Sequence, residues 1–105
     1  MQQGSCLRIY LTESDTIDGK PAMEAILELC KQADLHGVSV VRGIEGMGES
    51  GVHSVAFLSL ASELPLLVEV VDNQKKIQHA MDIIRPKLGN RLMATWPVSI
   101  SRGQE

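Results

Sequence analysis

The chain has 105 residues, 44% hydrophobic and 22% charged, with a formal net charge of −3. This is the profile of one globular domain, residues 1–105. It excludes the clustered basic face of a nucleic-acid binder, and its apolar runs are too short to span a membrane.

Met1-Gln2-Gln3-Gly4-Ser5 has neither the charged nor the apolar region of a signal peptide. Cys6 and Cys30 form no CxxC pair and sit among apolar neighbours, so buried thiols in a reducing, cytoplasmic setting are the expectation. Leu7-Arg8-Ile9-Tyr10-Leu11-Thr12 alternates apolar and polar, the period of a strand with one buried face. Glu13 to Gly19 reads as a polar loop. Pro21 then opens a helix, where its missing N–H is harmless, and Met23, Ile26, Leu27 and Cys30 recur at helical spacing. Gly37 is the expected left-handed stop.

Val38-Ser39-Val40-Val41 is a β-branched strand running into Arg42-Gly43-Ile44-Glu45-Gly46-Met47-Gly48-Glu49-Ser50-Gly51-Val52-His53. Four of the chain's nine glycines lie in that stretch. Unstructured loops of about 12 residues are uncommon unless functional or disordered, so a ligand or partner loop competes with a plain mobile hairpin. His53 to Leu60 alternates too much for a helix, and Ala61-Ser62-Glu63 makes a break. Leu66-Leu67-Val68-Glu69-Val70-Val71 is an apolar strand. Asp72 or Asn73 can cap a helix carrying Ile77, Ala80, Met81 and Ile84, which Pro86 is expected to end. After a Gly89-Asn90 turn, Leu92, Ala94, Trp96, Val98 and Ile100 alternate through a last strand, with Pro97 implying an edge position or a bulge.

The order β-α-β, glycine loop, β-α-β predicts an α+β, ferredoxin-like βαββαβ sandwich with helices on one face of an antiparallel sheet. Val40/Val41, Leu66/Leu67 and Val70/Val71 place apolar side chains on both sheet faces. The face without helices would then be a large apolar patch, so an oligomer of cyclic symmetry is inferred. The competing arrangement folds the 53–60 segment back over that face.

Gly46 to Gly51 matches G-x-G-x-x-G, but a strand pattern follows where a dinucleotide site needs a helix. What survives is a nest of backbone N–H groups for an anion. Arg42, Arg91 and Arg102 near strand ends, with Lys20, could grip phosphate, although each alone is better read as a solvated charge. Glu45 and Glu49 oppose an anion unless a cation bridges them. His53 with Glu45 or Glu49 could hold a divalent ion, at spacing that is a poor metal signal. His36 and His79 read as structural or exposed. No nucleophile–base pair is recognisable, so no enzyme is expected and no catalytic residue is assigned.

Leu7-Arg8-Ile9-Tyr10-Leu11 followed by Glu13-Ser14-Asp15 and Gly19-Lys20-Pro21 resembles the opening of the PII-like family catalogued as domain of unknown function 190. Arg42 to Gly48 with His53, then Leu64-Pro65 running into Val68 to Asp72 and Lys76-Ile77, extend the resemblance over nearly the whole chain, a core of about 6–100. It implies a fold similar to PII nitrogen-signalling proteins and copper-tolerance-type proteins, a homotrimer, and ligand clefts between subunits. Residues 43–53 would be the base and start of a flexible loop that contacts a target and closes over ATP or ADP. Gly43, Gly46 and Gly48 would approach the nucleotide, Gly89 and Arg91 would hold phosphates, and Arg102 would grip phosphate after the last strand. Glu49 stands where PII proteins carry a basic residue, against triphosphate binding, and Met47 replaces an aromatic. Tyr10 is the only tyrosine, so the loop has no acceptor for nucleotidylation. Genes of this family often neighbour those for fluoride-exporting channels, which suggests a membrane transporter or channel as partner.

These readings converge on a trimeric, non-enzymatic signalling protein. Its glycine loop changes order when an anionic small molecule or metabolite, an adenine nucleotide among the candidates, binds between subunits. The rivals are a divalent-metal-binding trimer and a ligand-independent adaptor for a transporter or channel.

Overall fold

A computed structural model describes residues 1–35, 37–48, 51–54 and 64–104. Strand β1 (Gln2–Thr12) begins earlier than its alternation suggested. The polar stretch after it holds a small hairpin, β2 (Thr16–Ile17) and β3 (Lys20–Pro21). Asp18 at φ 50° and Gly19 at φ 79° make its turn, the Asp-Gly pair that two-residue hairpins favour.

Helix α1 (Ala22–Gln32) follows Pro21 and buries Ala22, Ala25, Ile26 and Cys30, with Met23 and Leu27 at the flank of that stripe. Its end corrects the Gly37 expectation. Asp34, at φ 60°, takes the left-handed position. Leu35 N–H donates to Cys30 O and Asp34 N–H to Lys31 O, each at 3.0 Å, which is the Schellman pattern. Buried Leu35 draws the chain back at that point, and a short polar residue tolerates the left-handed backbone.

Strand β4 (Val38–Arg42) leads to β5 (Glu45–Gly48) and β6 (Gly51–Ser54), which pair as an antiparallel ribbon. The strand expected over 53–60 is seen for His53 and Ser54. Residues 55–63, with the expected break and any fold-back, lie outside the described residues.

Strand β7 (Pro65–Asp72) feeds helix α2 (Gln74–Leu88). The Asn73 side chain caps α2, its Oδ1 accepting from Lys76 N–H at 2.9 Å. Pro86 does not end α2 but lies inside its last turn. The only bond it forfeits is one to the carbonyl four residues back, and buried Leu88 holds the turn onto the core. Gly89, at φ 62° and ψ −126°, then releases the chain into β8 (Met93–Ile100).

The four-stranded sheet runs β4-β7-β1-β8, antiparallel throughout. This is the ferredoxin-like arrangement. β8 is an edge strand with unbroken register across Pro97, so the edge reading holds and the bulge does not. Leu7, Ile9, Leu11, Leu66, Val68 and Val70 face the helices and close on Ile26, Cys30, Ile77, Ala80 and Ile84. Each large buried aliphatic side chain there contributes about 1.5–3 kcal/mol. On the other face Val41, Val71, Tyr10 and Trp96 are 52%, 43%, 38% and 38% exposed. Among the described residues nothing covers that face, which is apolar-rimmed with a charged centre. Arg8 donates through Nε to Glu69 at 2.9 Å and lies 5.2 Å from the centre of the Trp96 ring.

Candidate ligand site

The register sorts the candidate residues to two ends of the sheet. Thr12 faces Pro65, Arg42 faces Leu66, and Met93 faces Ile9, so Arg42, Gly43 and the residues before β8 share one end. Gln2 faces Ile100 and Ser5 faces Asp72, so Arg102 follows β8 at the other end. The length of β8 separates the two ends by roughly 25 Å.

At the first end, Arg42 donates through Nε and Nη2 to the Glu13 carboxylate, each at 3.0 Å, a bidentate fork. Gly43 N–H donates to Pro65 O at 2.8 Å and Glu13 N–H to Leu64 O at 3.0 Å. The backbones come so close that a Cβ on Gly43 would lie 2.5 Å from Pro65 Cγ. Beside this neck is a cavity of about 330 Å³, bordered by Met23, Val40 and Leu66 as well as Arg42 and Glu13.

Arg91 lies at the same end and points inward. Its Nη1 donates to Leu88 O at 3.1 Å, its Nη2 to Thr16 O at 3.2 Å, and its Nε stands 3.3 Å from Asp15 Oδ2. It staples the turn after α2 to the small hairpin. Gly89 is required by its positive φ, since a built Cβ meets only Arg91 Nη1, at 4.0 Å. Gly46 and Gly48 pair with His53 and Gly51 across the ribbon. Glu49 lies outside the described residues, as does His36.

At the far end, Arg102 lines a polar cavity of about 530 Å³ with Lys76, Asn73 and Asp72. The structure thus brings Arg42, Gly43, Gly89 and Arg91 to one end of the fold and leaves Arg102 at the other.

For the metal alternative, Glu45 faces Ser54 while His53 faces Gly46. The two stand on neighbouring rungs of the ribbon. Among the described residues no group of three or more His, Cys, Asp or Glu is placed to hold an ion. His79 is exposed on α2, and Lys20 pairs with Glu28 at 2.6 Å, raising the lysine and lowering the carboxyl from their ordinary values. Both thiols are buried and free, and burial pushes Cys30 up to about 11, far from a reactive thiolate. Among the described residues no helix is long and apolar enough to cross a membrane.

Sequence reasoning missed Glu13 and Asp15, the carboxylates that occupy these arginines. Their acidity was visible, but the partners lie far along the chain, with Arg42 and Glu13 29 positions apart.

Residues 4–100 match the DUF190 family, described as Uncharacterized ACR. The chain belongs to this family. A UPF0166 protein of Aquifex aeolicus is 34% identical over 82 residues, covering 77% of this chain and 78% of the relative. A UPF0166 protein of Methanocaldococcus jannaschii is 32% identical over 88 residues, covering 84% and 78%. Among solved structures, this DUF190 chain is similar to CPII, a nitrogen regulatory PII-like protein from Thiomonas intermedia K12 bound to ADP, AMP and bicarbonate. The TM-score is 0.74 at 13% identity, covering 96% of this chain and 91% of CPII. The divalent ion tolerance protein CutA1 of Ehrlichia chaffeensis gives 0.63 at 12% identity, over 99% and 89%. The DUF190 chain therefore has a PII-like fold, as the sequence motifs implied.

Proposed function

We propose that this chain is the subunit of a homotrimeric, non-enzymatic PII-like regulatory protein that binds an anionic small molecule, an adenine nucleotide foremost, between subunits. The glycine-rich segment 43–53 contacts a target whose choice depends on occupancy. The observation that carries this reading is the division of the candidate cations. Arg42 and Arg91 sit at one end of the sheet and Arg102 follows the last strand at the other. One subunit cannot close them around one ligand. A neighbouring copy packed on the open sheet face could bring its Arg102 end against this subunit's Arg42 end. The ADP and AMP bound by CPII, a protein of similar fold, support adenine nucleotides as the first ligands to try. Calorimetric titration with AMP, ADP, ATP and cyclic nucleotides, with and without Mg²⁺, tests it. Saturable heat with at least one, lost in Arg102→Ala, is expected. Heat from none removes the nucleotide.

A second reading is a ligand-independent adaptor for a membrane transporter or channel. It is favoured by the internal pairing of Arg42 and Arg91 with Glu13 and Asp15, which leaves less cationic surface for an anion. A partner that co-purifies equally well with and without every nucleotide selects it.

A further inference from the structure

We infer that Glu13 is an internal counter-anion for Arg42, tying to β1 both ends of the segment that joins β4 to β7, and that an anion reaching Arg42 must displace it. Only the second half rests on the anion reading above.

Glu13 is the first residue beyond β1, and it makes two kinds of bond. Its carboxylate takes Arg42 Nε and Nη2 at 3.0 Å each, and its N–H donates to Leu64 O at 3.0 Å. Arg42 ends β4 and Leu64 precedes β7. One residue therefore holds the chain where it leaves the sheet and where it returns. Gly43 N–H on Pro65 O closes the neck between them.

Exposure indicates which partner yields. The Glu13 side chain is 21% exposed and that of Arg42 58%, so the guanidinium keeps an outer edge open to solvent while the carboxylate sits inside. Besides Arg42 and Glu13 themselves, Thr12, Pro21, Met23, Val40 and Leu66 line the adjoining cavity, and of these five only Thr12 is polar. That chemistry fits a ligand with a compact anionic head and an apolar body. While Glu13 holds Arg42, such a head meets a neutralised arginine beside a carboxylate of its own sign. An ion pair this exposed is weak enough for a ligand of ordinary affinity to replace.

The test uses Glu13→Gln, Arg42→Gln and the double variant, each of which keeps the backbone bond from residue 13 to Leu64 O. Amide hydrogen exchange is read at Gly43 and along β5 and β6 without ligand. Each single change should speed exchange about two- to fivefold, and the double no further, because one pair is broken in all three. Unchanged exchange, or effects that multiply, overturns the clamp. Titration with ADP, and with inorganic phosphate alone, tests displacement. Glu13→Gln should bind about two- to fivefold tighter than the parent. Equal or weaker binding overturns displacement. If neither protein binds either anion, the anion reading of the previous subsection falls and displacement with it, while the exchange data still decide the clamp.

Discussion

Gly43→Ala separates a structural role for the glycine neck from a ligand-binding one. The resemblance assigns Gly43 to the approach of a nucleotide, but a reason for glycine is present without any ligand. A Cβ there would lie 2.5 Å from Pro65 Cγ and 3.5 Å from two further ring atoms. Non-bonded carbons settle at about 3.5–4.0 Å, so the first contact must open by roughly 1 Å. A proline ring can yield only through its pucker, so the backbone has to give the rest. The bond from Gly43 N–H to Pro65 O, 2.8 Å long, lies along that path. Overpacking of this kind destabilises by about 1–3 kcal/mol, offset by about 0.4–1 from the stiffer unfolded chain. The net is about 1–2 kcal/mol, or roughly 4–15 °C in Tm for a domain of this size. Gly37→Ala is the control. Among the described residues no atom beyond its chain neighbours lies within 4 Å of a Cβ there and its φ is not left-handed, so only the unfolded-state gain applies and Tm should hold or rise. Scanning calorimetry at matched protein concentration, without nucleotide, reads both. A Gly43→Ala melt within about 2 °C of Gly37→Ala refutes the crowding account.

Val71→Asp places a charge on the open sheet face, where Val71 is 43% exposed, and should shift the sedimenting species toward the single chain without unfolding it. The fluorescence of Trp96, the only tryptophan, should move with it. Asn73→Ala removes the cap on Lys76 N–H and should cost about 1 kcal/mol in urea unfolding. Lys87 holds the Asp18 carboxyl below its ordinary value, a folded-state depression. The stabilisation is full above the unfolded pKa and is lost as pH falls through the folded one. The urea midpoint should therefore drop below about pH 4, and drop less in Lys87→Met. Native Cys30, pushed up to about 11, should resist alkylation at pH 8 and react once unfolded.

Elements governed by local chemistry were legible. Alternation in 7–12, the helical stripes around Ile26 and Ile84, and the Asn73 cap correspond to what is seen. Three local errors have physical causes. Asp18-Gly19 carried a hairpin signal that the surrounding polar residues obscured. Asp34 took the left-handed position because Leu35 must be buried, which a rule favouring glycine overlooks. Pro86 was tolerated because one lost bond in a final turn weighs less than burying Leu88. The pairs at the site were not legible at all. Arg42 with Glu13, Arg91 with Asp15 and Arg8 with Glu69 exist because β7 inserts between β1 and β4 and because chain turns meet at one sheet end. Such pairings depend on topology, and charges read along a chain carry no partner.

The open face and the divided cations bear on each other. A face that merely excluded water would be best filled with aliphatic side chains, yet its centre holds Arg8 against Glu69 and under Trp96. Covering that pair removes solvent from two charges, which gains little and can be unfavourable. Its return is in geometry. Two guanidinium N–H groups held on one carboxylate oxygen beneath a ring limit how a second sheet can lie across them, much as a buried polar residue fixes register elsewhere. In the proposed assembly orientation matters to the ligand cleft, because Arg102 lies more than a strand's length from its own Arg42 and would have to serve a neighbour's. A slipped or rotated interface would bury the same apolar rim and carry Arg102 past its mark. In the proposed assembly, then, the aliphatic rim supplies cohesion and the Arg8–Glu69–Trp96 centre sets alignment. Ligand binding would be linked to that alignment by mass action, since only correctly packed copies present both cationic ends to one anion.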